Sequence, residues 1–222
     1  MQGERQCSCP LAGLCHRGSG PFRETHKKRY QILFVQSTPA EHIYFIKQGA
    51  VSLHRMSSEE LALGRTRTLR HHGHFLGAEA LITSSYQDSA RAETNLLLCV
   101  TTREQFSRWI GPRETPAYRV LESLLLQEDE ERVTLADPEG NAHQRVACWL
   151  VNSPLGAESL SIDRSVIADL LSMRAEPLSR VLHDFADDGL LEVSRHSLLI
   201  LDVDELRNRS NVAPSSCPTI TT

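Results

Sequence analysis

The chain is short of aromatic residues, of long apolar runs and of excess positive charge, and each shortage excludes something. Only 5% of its 222 residues are Phe, Trp or Tyr, so a core has to be assembled from Leu, Val, Ile and Ala. The longest apolar stretches are a few residues, far below the ~18 that a membrane-spanning helix requires. A formal charge of −4 excludes a generally basic nucleic-acid coat or a polycationic membrane binder, while leaving room for a local basic surface. No phosphate loop, dinucleotide fingerprint or nucleophile–base arrangement supports catalysis, so the expectation is that the protein is not an enzyme. The opening Met1-Gln2-Gly3-Glu4-Arg5-Gln6 carries no apolar export segment. A soluble, cytoplasmic protein without membrane contact is expected.

What is present begins with cysteine. Of six cysteines, Cys7, Cys9 and Cys15 crowd into nine residues, while Cys99, Cys148 and Cys217 are scattered. A secreted disulfide framework is normally shorter, denser and preceded by an export signal. Close-set thiolates in a cytosolic chain suit a soft metal or a redox pair. Zinc prefers C-x₂₋₄-C, which neither C-x-C nor C-x₅-C satisfies, and His16 is a spare ligand or a solvated loop residue. The spacing by itself leaves zinc, iron–sulfur and dithiol chemistry open.

With 40% hydrophobic and 23% charged residues, the chain has material for one or two domains. From Phe22 to about Ile110, short alternating or wholly apolar runs are separated by turn residues. Gln31–Val35, Ile43–Ile46, Ala50–His54, Thr66–Leu69, His74–Leu76 and Asn95–Val100 read as strands, implying a β-sandwich or barrel. The period then changes. Thr115-Pro116 opens a helix carrying Tyr118, Leu121, Leu124 and Leu125 as an apolar stripe. That stripe suits pairing with a second copy, or packing on the β domain. Asp137-Pro138-Glu139-Gly140 marks a boundary. Beyond it Ala142–Val151 is an amphipathic helix, and Asp163 is placed to cap a short second one. A tight connection leads to Glu176–Ala186, where Leu178, Val181, Leu182 and Phe185 repeat at i, i+3, i+4, i+7. Gly189 stops that helix, and two apolar runs around Ser194-Arg195-His196 form a hairpin. This order is that of a winged helix-turn-helix.

In such a unit the second helix enters the major groove. Its polar face carries Glu176, Ser179, Arg180 and His183, beside Arg174 just before it. Arginine reaches guanine O6 and N7 in a fork, and glutamate accepts from the cytosine amino group. Arg174, Arg195 and His196 are placed for phosphates. The bland alternative is that Glu176 and Arg180 form only a surface ion pair worth ~0.3–0.5 kcal/mol.

The whole arrangement resembles the CRP/FNR family of bacterial transcription regulators, most specifically in Tyr44–Val51, Gly73–Gly77, Ser89–Ala92 and Ala175–Leu182. The resemblance implies an α+β chain: a cyclic-nucleotide-binding-type β-roll (jelly roll), a long dimerisation helix and a C-terminal winged helix-turn-helix. The segments expected are a cysteine-rich sensory segment at 1–21, the β-roll at 22–112, the dimerisation helix at 113–136, the DNA-binding domain at 140–207 and a disordered tail at 208–222. Glu176, Ser179 and Arg180 fall on the Glu-x-x-Ser-Arg positions with which FNR-type members read TTGAT-like half-sites. The cyclic AMP branch has a glutamate after the cassette glycine and an arginine before Ser-Ala. Here Ala78 follows Gly77 and Asp88 precedes Ser89-Ala90, so no cyclic nucleotide is expected.

The oxygen-sensing FNR branch instead pairs an N-terminal cysteine cluster with one cysteine inside the β-roll, the position of Cys99. Resemblance to that branch implies a 4Fe–4S cluster held by Cys7, Cys9, Cys15 and Cys99. It also implies double-stranded DNA, RNA polymerase and a second copy of the chain as partners. Cys7-x-Cys9 departs from the branch's C-x₂-C, which makes Cys7 the least secure ligand. Two other sensors on the same DNA reader remain open: zinc or a dithiol, and haem or a small molecule near His26, His42, His71, His72 and His74. An iron–sulfur electron carrier is the reading from another class.

Overall fold

The computed structural model describes residues 21–55, 65–112, 118, 121, 140–152, 162–194 and 197–210. The chain clusters into two compact units, Met1–Gly64 with Arg70–Thr134 and Arg65–Leu69 with Leu135–Thr222.

Eight strands form a β-roll: β1 (Arg23–Lys27), β2 (Ile32–Phe34), β3 (His42–Gln48), β4 (Ala50–Arg55), β5 (Arg65–His71), β6 (Phe75–Leu76), β7 (Ser89–Ala92) and β8 (Leu96–Thr102). They make two four-stranded sheets, ordered β1-β8-β3-β6 and β2-β7-β4-β5. One core joins them, with Tyr44, Ile46, Leu76 and Leu98 from the first sheet meeting Phe34, Val51, Leu53, Ala90 and Ala92 from the second. The β3–β4 turn depends on Gly49 at φ 97°, where a Cβ would stand 2.6 Å from the Asn95 carbonyl oxygen. After β8 comes α1 (Arg103–Ile110), opened by a capping box in which Thr102 and Gln105 satisfy each other's backbone N–H groups. Its one buried residue is Phe106.

The expected dimerisation stripe needs correction where it is described. Tyr118 is buried, and its hydroxyl donates to the Leu81 carbonyl at 3.0 Å. Leu121 packs against the β-roll core. A buried phenol needs an acceptor, and the short 3-10 helix Ala78–Leu81 of the same chain supplies one. Leu124 and Leu125 lie outside the described residues.

The second unit holds α2 (Ala142–Asn152), α3 (Arg164–Leu170), α4 (Ala175–Asp187), a hairpin of β9 (Leu191–Val193) and β10 (Leu198–Ile200), and α5 (Val203–Ser210). Leu178, Val181, Leu182 and Phe185 of α4 are all buried, as the helical spacing requires. Each stabilises by about 1.5–3 kcal/mol. α2 packs on α4 and α5. Asp163 stands at the start of α3 without a side-chain capping bond; its carbonyl accepts from Val166 N–H at 3.0 Å. The disordered tail expected from 208 is corrected at its start, since Asn208, Arg209 and Ser210 are helical. Leu206 anchors that last helix in the core, and Asp202 accepts from Glu205 N–H at 2.9 Å. The fold class is the one expected, a β-roll with a C-terminal helix-turn-helix. Among the described residues, no helix is long and apolar enough to cross a membrane.

Candidate functional site

The exposed face of α4 is presented by a four-residue turn, Leu171–Arg174. Leu171 N–H reaches the Ile167 carbonyl at 3.1 Å and Met173 N–H the Ala168 carbonyl at 2.9 Å, while Ser172 takes φ 49°. Arg145 of α2 donates to the Leu171 carbonyl at 3.2 Å and so fixes the turn from below. Arg174 is the extended N-cap residue, and it is exposed.

Glu176 and Arg180 form an ion pair in the free protein, their side chains 76% and 75% exposed. So much water on both sides leaves the pair little weight in stability. His183 Nδ1 donates to the Ser179 carbonyl at 2.7 Å. A carbonyl only accepts, so that nitrogen carries the proton. Glu176, Pro177, Arg180 and His183 are exposed and Ser179 is half-buried, which brings together the expected set on this helix. Arg195 and His196 lie outside the described residues. Beside them, Ser194 N–H meets the Ser197 carbonyl at 2.9 Å, and Arg164 donates to the Ser194 carbonyl at 3.2 Å.

In the β-roll, Cys99 is a buried thiol, 4% exposed and not part of a disulfide. It stands opposite Phe45 of β3 on one side and Glu24 of β1 on the other, and Phe45 in turn stands opposite Phe75. Directly opposed residues share a face of the sheet. Phe75 joins Phe22, Phe106 and Trp109 in an aromatic cluster with centroids 5.6–6.4 Å apart. Lys47 reaches Glu24 at 2.6 Å. Cys7, Cys9 and Cys15 lie outside the described residues. Among the described residues, no group of three or more His, Cys, Asp or Glu side chains is placed to hold a metal ion. Of the four expected ligands only Cys99 lies among the described residues, as a buried thiol whose soft donor is chemically compatible with iron.

The cassette that the cyclic AMP branch uses is differently furnished. Asp88 is 3% exposed and accepts from Arg55 Nε at 2.8 Å. At Gly77 a Cβ would stand 2.8 Å from the His42 carbonyl and 3.0 Å from the Tyr86 ring. Tyr86 stacks on Phe34 with centroids 4.0 Å apart, and its hydroxyl donates to the His42 carbonyl at 2.9 Å. Burial raises the Tyr86 phenol and pushes Tyr44 beside it up to about 12. Arg55 and the Tyr86 stack were not marked by sequence reasoning; a lone arginine ending a strand and a tyrosine in a loop give no periodic signal.

Comparison with known proteins agrees with this layout. Residues 24–111 match the cyclic nucleotide-binding domain, and residues 144–209 match the Crp-like helix-turn-helix domain. The transcriptional regulator LdrP of Thermus thermophilus is 25% identical over 199 residues, covering 83% of this chain and 95% of its own. The transcriptional activator protein anr of Pseudomonas aeruginosa is 23% identical over 192 residues, covering 81% and 77%. The structure of FixK2 from Bradyrhizobium japonicum superposes with a TM-score of 0.71 at 20% identity, covering 86% of this chain and 98% of that one. A β-roll of this kind joined to this helix-turn-helix defines a DNA-binding transcription regulator rather than an enzyme. The two domain matches together span more than half of the chain, which belongs to the CRP/FNR family.

Proposed function

We propose that this regulator senses oxygen or redox state through a 4Fe–4S cluster held by Cys7, Cys9, Cys15 and Cys99, and that as a homodimer it reads a palindromic operator through α4. The observation that carries the reading is the pairing of Cys99 with Glu24 on β1. Glu24 follows Cys15 by nine residues, a reach of at most ~30 Å. Connectivity therefore keeps the cysteine-bearing segment within range of the one β-roll thiol on that sheet. When bound, such a cluster supplies iron–sulfide bonds that oxygen or nitric oxide destroys, freeing the thiols. Ligation by the three early cysteines couples the free energy of metal binding to the position of the N-terminal segment. The Arg55–Asp88 pair and the Tyr86 stack support a β-roll that takes no cyclic nucleotide. RNA polymerase is the further partner of the DNA-bound dimer.

Anaerobic purification with iron and sulfide analysis tests the sensing half. The expected result is about four irons and four sulfides per chain, lost on air exposure together with operator binding. Cys99→Ala is expected to fold and to lose the metal. A colourless, iron-free protein that holds its operator equally well with and without air overturns it. Zinc in place of iron, or a reversible dithiol, replaces the sensor while leaving the DNA reader.

A further inference from the structure

The exposed face of α4 carries two residues with no polar handle, Ala175 and Pro177, and of these only Pro177 presents a ring between Glu176 and Arg180. Pro177 is exposed, next to Glu176 and three residues before Arg180. It is the third residue of the helix, so its missing N–H costs no intrahelical bond, and its rigid ring is tolerated there. Arg174 makes no side-chain cap, so no capping acceptor is left wanting that N–H either. Pro177 therefore offers the groove only CH₂ groups, fixed in place by the first turn.

Nearly everything on the floor of the major groove donates or accepts a hydrogen bond. An apolar ring pressed on such an atom removes its water and returns nothing. The exception is the C5 methyl of thymine, which accepts apolar contact. Resting on the reading of α4 as the base-contacting helix, we infer that Pro177 is a specificity residue that packs on a thymine methyl beside the base pair read by Glu176 and Arg180. The ligand group is the methyl itself: cytosine, and uracil at the same place, lack it.

The test uses the full chain, purified anaerobically, and a duplex chosen from a random pool by repeated binding. Each thymine of that duplex is then replaced singly by deoxyuridine, which deletes only the methyl. For the wild type, one thymine in each half-site is expected to show a loss of roughly fourfold, the transfer value of one buried methyl group. Pro177→Ser, checked for helix content by circular dichroism, is expected to bind thymine and uracil equally at that place. A flat uracil scan in the wild type, or an unchanged profile in Pro177→Ser, overturns the assignment. Arg180→Ala separates the two levels. If it abolishes base preference while the uracil scan ignores residue 177, only Pro177 loses its role. If it leaves the preference intact, or if no duplex is selected at all, the reading of α4 falls and Pro177 with it.

Discussion

Asp88 and Arg55 are joined in the β-roll by a 2.8 Å hydrogen bond from Nε and a second, longer one from Nη2 at 3.4 Å. The carboxylate stands before Ser89-Ala90, where a phosphate-binding member of this fold places an arginine, and its charge repels a phosphate. Calorimetric titration with cyclic AMP or cyclic GMP at millimolar concentration is expected to give no saturable heat. The same pair makes a stability prediction. Arg55→Ala strips a charge-assisted partner from a buried carboxylate and is expected to cost about 1.5–3 kcal/mol in urea unfolding.

His71 sets a second prediction. Burial first, then the neighbouring His74, His72 and Arg70, lower its pKa from 6.5 to about 4. Its Nε2 is buried without a hydrogen-bond partner. Between those two values the unfolded chain holds a proton that the folded chain refuses. Stability is therefore intact above pH 6.5 and falls as pH drops towards 4. The denaturant midpoint is expected to decline between pH 7 and pH 4.5, and His71→Gln to flatten that decline, because the amide does not titrate. An equal slope in the variant would assign the acid sensitivity to other groups.

The parts legible in the sequence were those where burial imposes a period. β3 and β8 carry apolar runs, Ile43–Ile46 and Leu96–Val100, because both faces are covered there, and α4 repeats every third or fourth residue because one face is. β1 was not legible. Its residues Arg23–Lys27 alternate nothing, since an edge strand takes its place from backbone pairing with β8. α1 did leave signals, Thr102 with Gln105 three residues on and Phe106, Trp109 and Ile110 at helical spacing, but at two turns it is too short to stand out beside the strands before it. The last turn of α5, Asn208–Ser210, read as tail because Leu206 is the one buried apolar residue of an otherwise polar helix. The tyrosine at 118 shows the limit of spacing arguments. Helical periodicity marked a stripe correctly as apolar without saying which surface it meets. On the exposed face of α4 the sequence reading named Glu176, Ser179, Arg180 and His183 and passed over Pro177, because proline at a helix start reads as punctuation.

The turn between α3 and α4 stores backbone strain at Ser172, a non-glycine residue at φ 49°. A Cβ in that region costs roughly 1–2 kcal/mol, while glycine loses part of the gain through the freedom of its unfolded chain. Ser172→Gly is expected to raise stability slightly, by up to about 1 kcal/mol, read as a small rise in the thermal midpoint. Ser172→Val, branched at Cβ, is expected to lower it by more than that. Gly49→Ala is expected to be the more damaging change, since its Cβ meets backbone at 2.6 Å as well as a positive φ. Equal midpoints for Gly and Val at 172 would mean that the turn relaxes out of this conformation.

Arg180 separates folding from recognition. In the free protein it pairs with Glu176 one turn earlier, and the pair is exposed on both sides. Removing the guanidinium should therefore change stability by less than about 0.5 kcal/mol. On DNA the proposed role of the same group is to fork to a guanine, a contact worth about 1–3 kcal/mol of base discrimination. Arg180→Ala is thus expected to unfold at the wild-type denaturant concentration while binding its selected duplex at least tenfold more weakly and tolerating substitutions at one position of each half-site. Arg180→Lys is expected to recover affinity but not discrimination, because an ammonium meets the groove as a point charge and lacks the fork. Fluorescence anisotropy at one fixed salt concentration, read beside a urea titration, checks both halves. A variant that loses stability and DNA affinity together would make the ion pair structural and leave base reading to other residues of the helix.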